Sequence, residues 1–335
     1  MRRPRILVTN WVHGEVLAWL AAFGDVDANS ALAPWPASEV CARAAAADAV
    51  LAFMPDRIDA AFLAGCPRLK IVACALKGFD NFDLEACTAA GVWLTVVPDL
   101  LTAPTAELAI GLAIALARHI RDGDTVIRSG AFEGWRPILY GSGLDGATVA
   151  IIGMGAVGRA IAVRLAGFGC RILGVDPLSA MPANVAPIDL AGALERADYV
   201  FLAAPLTHTS LHLIDRDALA RMQPHALLIN VGRGSVVAER AVAYALTAGR
   251  LGGYAADVFE LEDWARAERP RAIDPRLLAH RRTLFTPHLG SAVDRVRRDI
   301  AMRAAEGIAE ALAGGRPRDA INDPQQARRA ARRGG

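Results

Sequence analysis

Thr148-Val-Ala-Ile-Ile-Gly153-Met-Gly155-Ala-Val-Gly158, running on through a helical pattern to Phe168 and then Arg171-Ile-Leu-Gly-Val-Asp176, decides the fold. An apolar strand leads into three glycines in GxGxxG spacing and a helix leads out. The glycines permit a tight turn, close approach of the backbone to a pyrophosphate and close packing of helix on sheet, while the helix start offers the N–H groups of Ala156 and Val157 to an anion. Asp176 ends the next strand, where a carboxylate can accept hydrogen bonds from the adenosine ribose and repel a 2′-phosphate. Gly153, Gly155, Ala156, Val157, Gly158 and Asp176 therefore read as a dinucleotide site that favours NAD over NADP.

On both sides of this unit, short β-rich runs alternate with alanine-rich helical stretches, the pattern of parallel α/β sheets. Strands are expected at 5–10, 49–54, 70–75 and 92–97, and again at 148–152, 171–176, 199–204, 226–231, 253–258 and 283–286. A long helix over 104–128, with Thr102 or Thr105 as its cap and Pro104 in its first turn, carries the chain into the second sheet; a helix over 294–313 returns it. The expected class is α/β with two doubly wound parallel-sheet domains. Residues 1–100 with 291–322 form a flavodoxin-like substrate domain, and residues 101–290 form an inserted Rossmann NAD-binding domain. A basic tail, 323–335, is expected to be disordered.

Ligands of such sheets bind outside the carboxyl ends of the strands. Four of these ends carry chemistry: Pro205-Leu-Thr207, Val231-Gly232-Arg233-Gly234, Asp257 with Glu262 just beyond, and His288-Leu-Gly290-Ser291. A permanent cation, a carboxylate and an imidazole supply a charge-fixing group, a tuner and a proton carrier, the parts needed beside a redox cofactor. The glycines beside Arg233 are read as clearing space around its side chain.

Composition narrows the classes. A chain of 335 residues, 53% hydrophobic, is long enough for two well-filled domains. Its 37 basic and 35 acidic side chains give a net charge of +2, a mixed surface with no pull toward nucleic acid or membrane. The most apolar long stretch, 108–117, is too short to span a bilayer, and the basic N-terminus is followed by no export signal. Cys41, Cys66, Cys74, Cys87 and Cys170 read as reduced core thiols in a cytoplasmic protein, without metal-binding spacing.

The motifs taken together resemble the D-isomer-specific 2-hydroxyacid dehydrogenases: the Gly153 fingerprint with Asp176, Asn-Val-Gly-Arg233-Gly, Asp257-Val-Phe with Glu262, and Pro-His288-x-Gly290-Ser follow that family's order. Within the family the likeness is strongest to its phosphite-oxidising members, through Phe53-Met54-Pro55-Asp56-Arg57, Ala75-Leu76-Lys77-Gly78-Phe79-Asp80-Asn81-Phe82-Asp83, 93–101, 253–259 and Glu262-Asp263-Trp264-Ala265-Arg266. The resemblance implies NAD-dependent oxidation of phosphite to phosphate. Arg233, Glu262 and His288 would be catalytic, with His288 as base toward water. Lys77, Gly78, Met54, Arg233, Trp135, Tyr140, Ser291 and Arg297 would serve the substrate. Thr105, Pro205, Thr207, Val231, Asp257 and Gly290 would join the glycine turn in holding the cofactor, Asp257 facing the nicotinamide carboxamide. It also implies a homodimer with 132–140 near the contact.

Lys77 bears on the substrate by its own chemistry. Phosphite near neutral pH carries up to two negative charges, and desolvating it needs cations to receive it. Lys77 and Arg233 together could neutralise it, and flanking Leu76 and Phe79 suggest that the lysine's loop is partly buried. Two other readings remain: a D-2-hydroxyacid dehydrogenase or glyoxylate/hydroxypyruvate-type reductase, and a non-catalytic NAD(H)-sensing protein on the same fold.

Overall fold

The computed structural model describes residues 2–325. The chain divides into two compact units, Met1–Leu101 with Val293–Gly335 and the intervening Thr102–Ala292.

The first unit holds a five-stranded parallel sheet of β1 (Arg5–Val8), β2 (Asp25–Ala28), β3 (Ala49–Ala52), β4 (Ile71–Cys74) and β5 (Trp93–Thr95), in the order β2-β1-β3-β4-β5. That is the flavodoxin-like order. β3 and β4 are buried along their whole length, as apolar runs covered on both faces must be. One face packs on Ile300, Ala304 and Ile308 of the helix Asp294–Leu312, the other on Val40, Phe62 and Cys87. β2 was not expected. Asp25 and Asp27 break its apolar pattern because it is an edge strand whose alternate residues face solvent.

The second unit holds a seven-stranded parallel sheet: β6 (Thr148–Ile152), β7 (Arg171–Val175), β8 (Ala186–Pro187), β9 (Tyr199–Leu202), β10 (Leu227–Asn230), β11 (Gly253–Ala256) and β12 (Thr283–Phe285). Their order, β12-β11-β10-β9-β6-β7-β8, reverses direction between β6 and β9, the switch point at which a doubly wound sheet opens a crevice. β8 also escaped the sequence reading; it is two residues long and ends in Pro187, which only an edge strand tolerates.

The expected helix over 104–128 is in fact two, Thr102–Ala117 and Ile120–Arg128, bent by 63° at the break. His119 adopts a left-handed φ of +53°, and Arg282 bonds both to its imidazole at 3.0 Å and to the Leu116 carbonyl at 3.3 Å. The Ser142 N–H takes the Ala117 carbonyl that a continuous helix would use. Tertiary contacts therefore end the helix where its sequence does not. Thr102 begins it rather than capping it, and its buried hydroxyl has no partner among the described residues.

Cys66, Cys74 and Cys87 are buried as expected, whereas Cys41 is exposed. Burial pushes the Cys66 and Cys87 thiols up to about 11 and about 12, which makes them poor nucleophiles. No single helix among the described residues is long and apolar enough to cross a membrane. Of the expected tail, Pro324 is buried and residues 326–335 lie outside the described residues.

Candidate active site

Gly153 leaves β6 with φ +92°, and a Cβ there would lie 2.6 Å from the Ala204 nitrogen. At Gly158 a Cβ would meet the Gly153 carbonyl oxygen at 2.0 Å, so only glycine lets the helix Ala156–Leu165 pack this close. Gly155 is different. It is the N-cap of that helix, no side chain caps it, and nothing lies within 4 Å of where its Cβ would be. Open space beside uncapped helix N–H groups fits a pyrophosphate.

Asp176 follows β7 and closes this turn. Its Oδ2 accepts the Met154 N–H at 2.8 Å, and its Oδ1 accepts those of Leu178 and Ser179 at 2.8 and 3.0 Å. Partial burial pushes the carboxyl up, but these N–H groups outweigh it and hold Asp176 below the usual carboxylate range. Arg159 ties the same corner from the other side, donating to the carbonyls of Met154 at 2.9 Å and Ala180 at 3.0 Å. Asp176 thus stays charged and fixed, with one acceptor site on Oδ2 left for a ribose hydroxyl. Past β9, Ser210 donates to the Pro205 carbonyl at 2.6 Å and accepts the Thr207 N–H at 2.8 Å, shaping a loop in which sequence reading picked out only Pro205 and Thr207.

Arg233 follows β10 on a turn fixed by buried Asn230, whose Nδ2 donates to the Arg233 carbonyl at 3.0 Å and whose Oδ1 accepts the Gly232 N–H at 3.1 Å. The glycines around Arg233 do not clear space for its side chain, contrary to expectation. A Cβ on Gly234 would meet the Phe259 carbonyl carbon at 1.9 Å, and one on Gly232 the Ala204 carbonyl oxygen at 2.6 Å. They let neighbouring backbone approach, and so lock the turn. Val231 is buried, its N–H bonded to the Leu202 carbonyl.

Glu262 ends a short turn, Glu260–Glu262, after β11. Its Oε1 accepts the Phe259 N–H at 2.8 Å, and its Oε2 lies 2.6 Å from His288 Nδ1. With Nδ1 so engaged, Nε2 is the imidazole nitrogen left for proton exchange. His288 itself has φ +55°, unusual for a non-glycine residue, and its N–H bonds to the Asp257 carbonyl at 2.9 Å. The Asp257 carboxylate organises the same turn: Oδ1 accepts the Thr286 hydroxyl and the Leu289 N–H, both at 2.6 Å, and Oδ2 accepts the Gly290 N–H at 2.8 Å. Burial pushes Asp257 up, against these bonds. A Cβ on Gly290 would stand 3.1 Å from the hydroxyl of buried Thr105.

In the first unit, Lys77 and Gly78 are half-buried just past β4, as the loop was expected to be, between buried Leu76 and Phe79, which is 39% exposed. Asn81 donates to the Met54 carbonyl at 2.9 Å, tying the loop after β4 to the loop after β3. Arg297 reaches the same strand end, donating to the Ala75 carbonyl at 3.4 Å, and burial pushes its guanidinium down. Ser291 is half-buried beside Gly290. Trp135 and Tyr140, which the resemblance assigns to the substrate, stand 83% and 75% exposed on an irregular segment of the second unit. Among the described residues no group of three or more His, Cys, Asp or Glu could hold a metal ion.

Residues 110–290 match the NAD binding domain of the D-isomer specific 2-hydroxyacid dehydrogenases. The chain belongs to this family. It is 31% identical to the glyoxylate reductase of Thermococcus litoralis, over 96% of this chain and 97% of that one. A crystal structure of a protein from Thermus thermophilus is 33% identical and superposes with a TM-score of 0.88, over 95% of this chain and all of that one. An NADPH-dependent glyoxylate/hydroxypyruvate reductase from Sinorhizobium meliloti, solved with NADP and malonate, is 28% identical with a TM-score of 0.83, over 96% and 98%. The protein is accordingly an oxidoreductase of the D-2-hydroxyacid dehydrogenase type, and its second unit is the NAD(P)-binding domain.

Proposed function

We propose that this dehydrogenase oxidises phosphite to phosphate with NAD, a phosphonate dehydrogenase activity, and that Arg233, Glu262 and His288 are its catalytic residues. What supports phosphite is two cations at one strand end of the first unit: Lys77 past β4, and Arg297 bonded to the Ala75 carbonyl two residues before it. A dianion desolvated without cations costs several kcal/mol, and a monoanionic carboxylate asks for less. The reading requires Lys77 and the trio to serve the same substrate.

The Gly153–Gly158 turn and the helix start hold the pyrophosphate and Asp176 the adenosine ribose, with NAD preferred over NADP because a fixed carboxylate repels a 2′-phosphate. NAD supplies the hydride acceptor when bound. Arg233 and Lys77 bind and orient the phosphite. The P–H bond breaks with its electron pair, a P–O bond forms to a water oxygen, and that water's proton passes to His288 Nε2. Glu262, 2.6 Å from Nδ1, fixes the ring and carries the balancing charge as the imidazole becomes cationic.

A second reading has its own support, the glyoxylate reductase names of the curated relatives. There His288 Nε2 would donate its proton to the alkoxide formed when a 2-oxo acid accepts hydride, and Arg233 would bind the carboxylate. A cofactor-sensing protein without catalysis is disfavoured by the short Glu262–His288 bond, which sensing does not need. Lys77→Met separates the two substrates. On the phosphite reading it raises KM for phosphite about 10- to 100-fold, the worth of one or two charge-assisted contacts, and leaves any glyoxylate reduction within a few fold. An unchanged phosphite KM would remove the argument from Lys77.

We further propose that the protein works in the cytoplasm as a homodimer whose second copy covers Phe132, Trp135, Ile138 and Tyr140, each more than half exposed in the single chain. A monomer in light scattering would contradict the dimer.

A further inference from the structure

Two buried carboxylates join the start of the helix that follows the Arg233 turn to the turn of Glu262. Glu239 begins the helix Glu239–Thr247 and is 3% exposed; Glu260 begins the turn after Phe259 and is 8% exposed. Their bonds are reciprocal. The Glu260 N–H donates to Glu239 Oε1 at 2.7 Å, and the Glu239 N–H donates to Glu260 Oε1 at 2.8 Å. Both N–H groups lie at helix starts, where no intrahelical acceptor exists and burial makes an external one obligatory. A second strut runs beside the first: Asp263 Oδ2 accepts the Ser235 N–H at 2.7 Å, and Arg266 donates to the Ser235 hydroxyl at 2.5 Å. Glu260 Oε2 also lies 3.2 Å from His212 Nε2 and 3.7 Å from Arg266.

Each strut starts within a few residues of a catalytic position. Ser235 is two residues past Arg233, and Glu260 two residues before Glu262. For stability alone, two carboxylates side by side are a costly way to supply these acceptors, because burial and mutual repulsion both oppose their charge. Burial pushes Glu239 up to about 7, against the help of the Glu260 N–H and with the neighbouring carboxylates adding to the rise. What a carboxylate adds is direction: its oxygen fixes where one particular N–H points.

We infer that Glu239 and Glu260 are positioning residues for the reaction, a reciprocal brace that holds the Glu262 turn against the Arg233 turn and so keeps Glu262 on His288 Nδ1. The inference rests on the catalytic assignment of that trio, but its primary readout does not need turnover. A proton in a 2.6 Å nitrogen–oxygen bond gives a low-field resonance, which in the apoprotein is assigned to His288 by its loss in His288→Ala.

Glu239→Ala removes the acceptor for the Glu260 N–H. The low-field resonance should vanish, hydrogen exchange of the Glu262 amide should quicken at least about tenfold, and kcat should fall about 10- to 100-fold, with the dissociation constant for NADH within about threefold of wild type. Glu239→Gln retains an accepting oxygen and should restore the resonance and most of kcat. Val242→Ala, a buried change on the same helix, controls for lost stability alone and should keep the resonance. If Glu239→Ala does not fold, Glu260→Gln and Glu239→Gln decide: the brace predicts the resonance in both. A resonance unmoved in folded Glu239→Ala, or lost equally in Val242→Ala, or absent from both glutamine variants, overturns the brace. Full activity of His288→Ala would instead sink the trio while leaving the resonance test of the brace intact.

Discussion

Glu239 makes the stability of the second unit depend on pH in a calculable way. Its side chain is 3% exposed, and burial raises its carboxyl from an ordinary 4.5 to about 7. Between those values the folded protein holds a proton that the unfolded chain has released. The stabilisation is therefore fully present below pH 4.5 and is lost as pH rises through 7. With each factor of ten in proton affinity worth about 1.4 kcal/mol, the separation amounts to roughly 3 kcal/mol. Asp56, pushed up to about 6 by burial, moves the first unit in the same direction, so the test is a comparison with Glu239→Gln, which cannot titrate there. Scanning calorimetry of both proteins from pH 4.5 to 8 should show wild type losing roughly 6–12 °C more than the variant, at ~2–4 °C per kcal/mol for a unit of this size. Parallel curves within about 1 °C would show that burial does not raise the Glu239 carboxyl.

Gly234→Ala should abolish soluble folded protein or lower the melting temperature by several degrees, because its Cβ would fall 1.9 Å from the Phe259 carbonyl carbon and one of two backbones must move; circular dichroism melting checks it. Asp176→Ala should cut NADP discrimination at least about tenfold while weakening NAD, since it removes the repelling charge and frees the Met154, Leu178 and Ser179 N–H groups together; KM for the two cofactors reads the outcome. Glu262→Gln removes the charge and leaves one accepting oxygen where the Phe259 N–H and His288 Nδ1 now have two, and should lower kcat about 10- to 100-fold with the NADH dissociation constant unchanged. A rate within a few fold would deny Glu262 its role.

The parallel strands were legible because buried strands are apolar throughout, and the glycine turn because Gly153 and Gly158 meet constraints that only glycine satisfies. Edge strands β2 and β8 were not, since one neighbour demands less of a sequence. The break at His119 is imposed by Arg282 and Ser142, distant in sequence, on a helical pattern that runs through it. At the site, residue types and order disclosed Arg233, Glu262 and His288, but not what holds them. Glu239 and Glu260 look in sequence like solvated acids at helix starts, where the dipole favours them, and only the three-dimensional pairing makes them a brace. Ser210, Asn230 and Thr286 are equally silent alone. For Trp135 and Tyr140 the sequence resemblance said more than a single chain displays.

In phosphite oxidation the hydride comes from phosphorus. Purified protein mixed with NAD and phosphite should accumulate reduced nicotinamide with phosphate in equal amount, and phosphite deuterated at phosphorus should place that deuterium on the cofactor. No reduction with phosphite, alongside brisk oxidation of NADH by glyoxylate, would rule out phosphite as the substrate and leave a 2-oxo acid in its place.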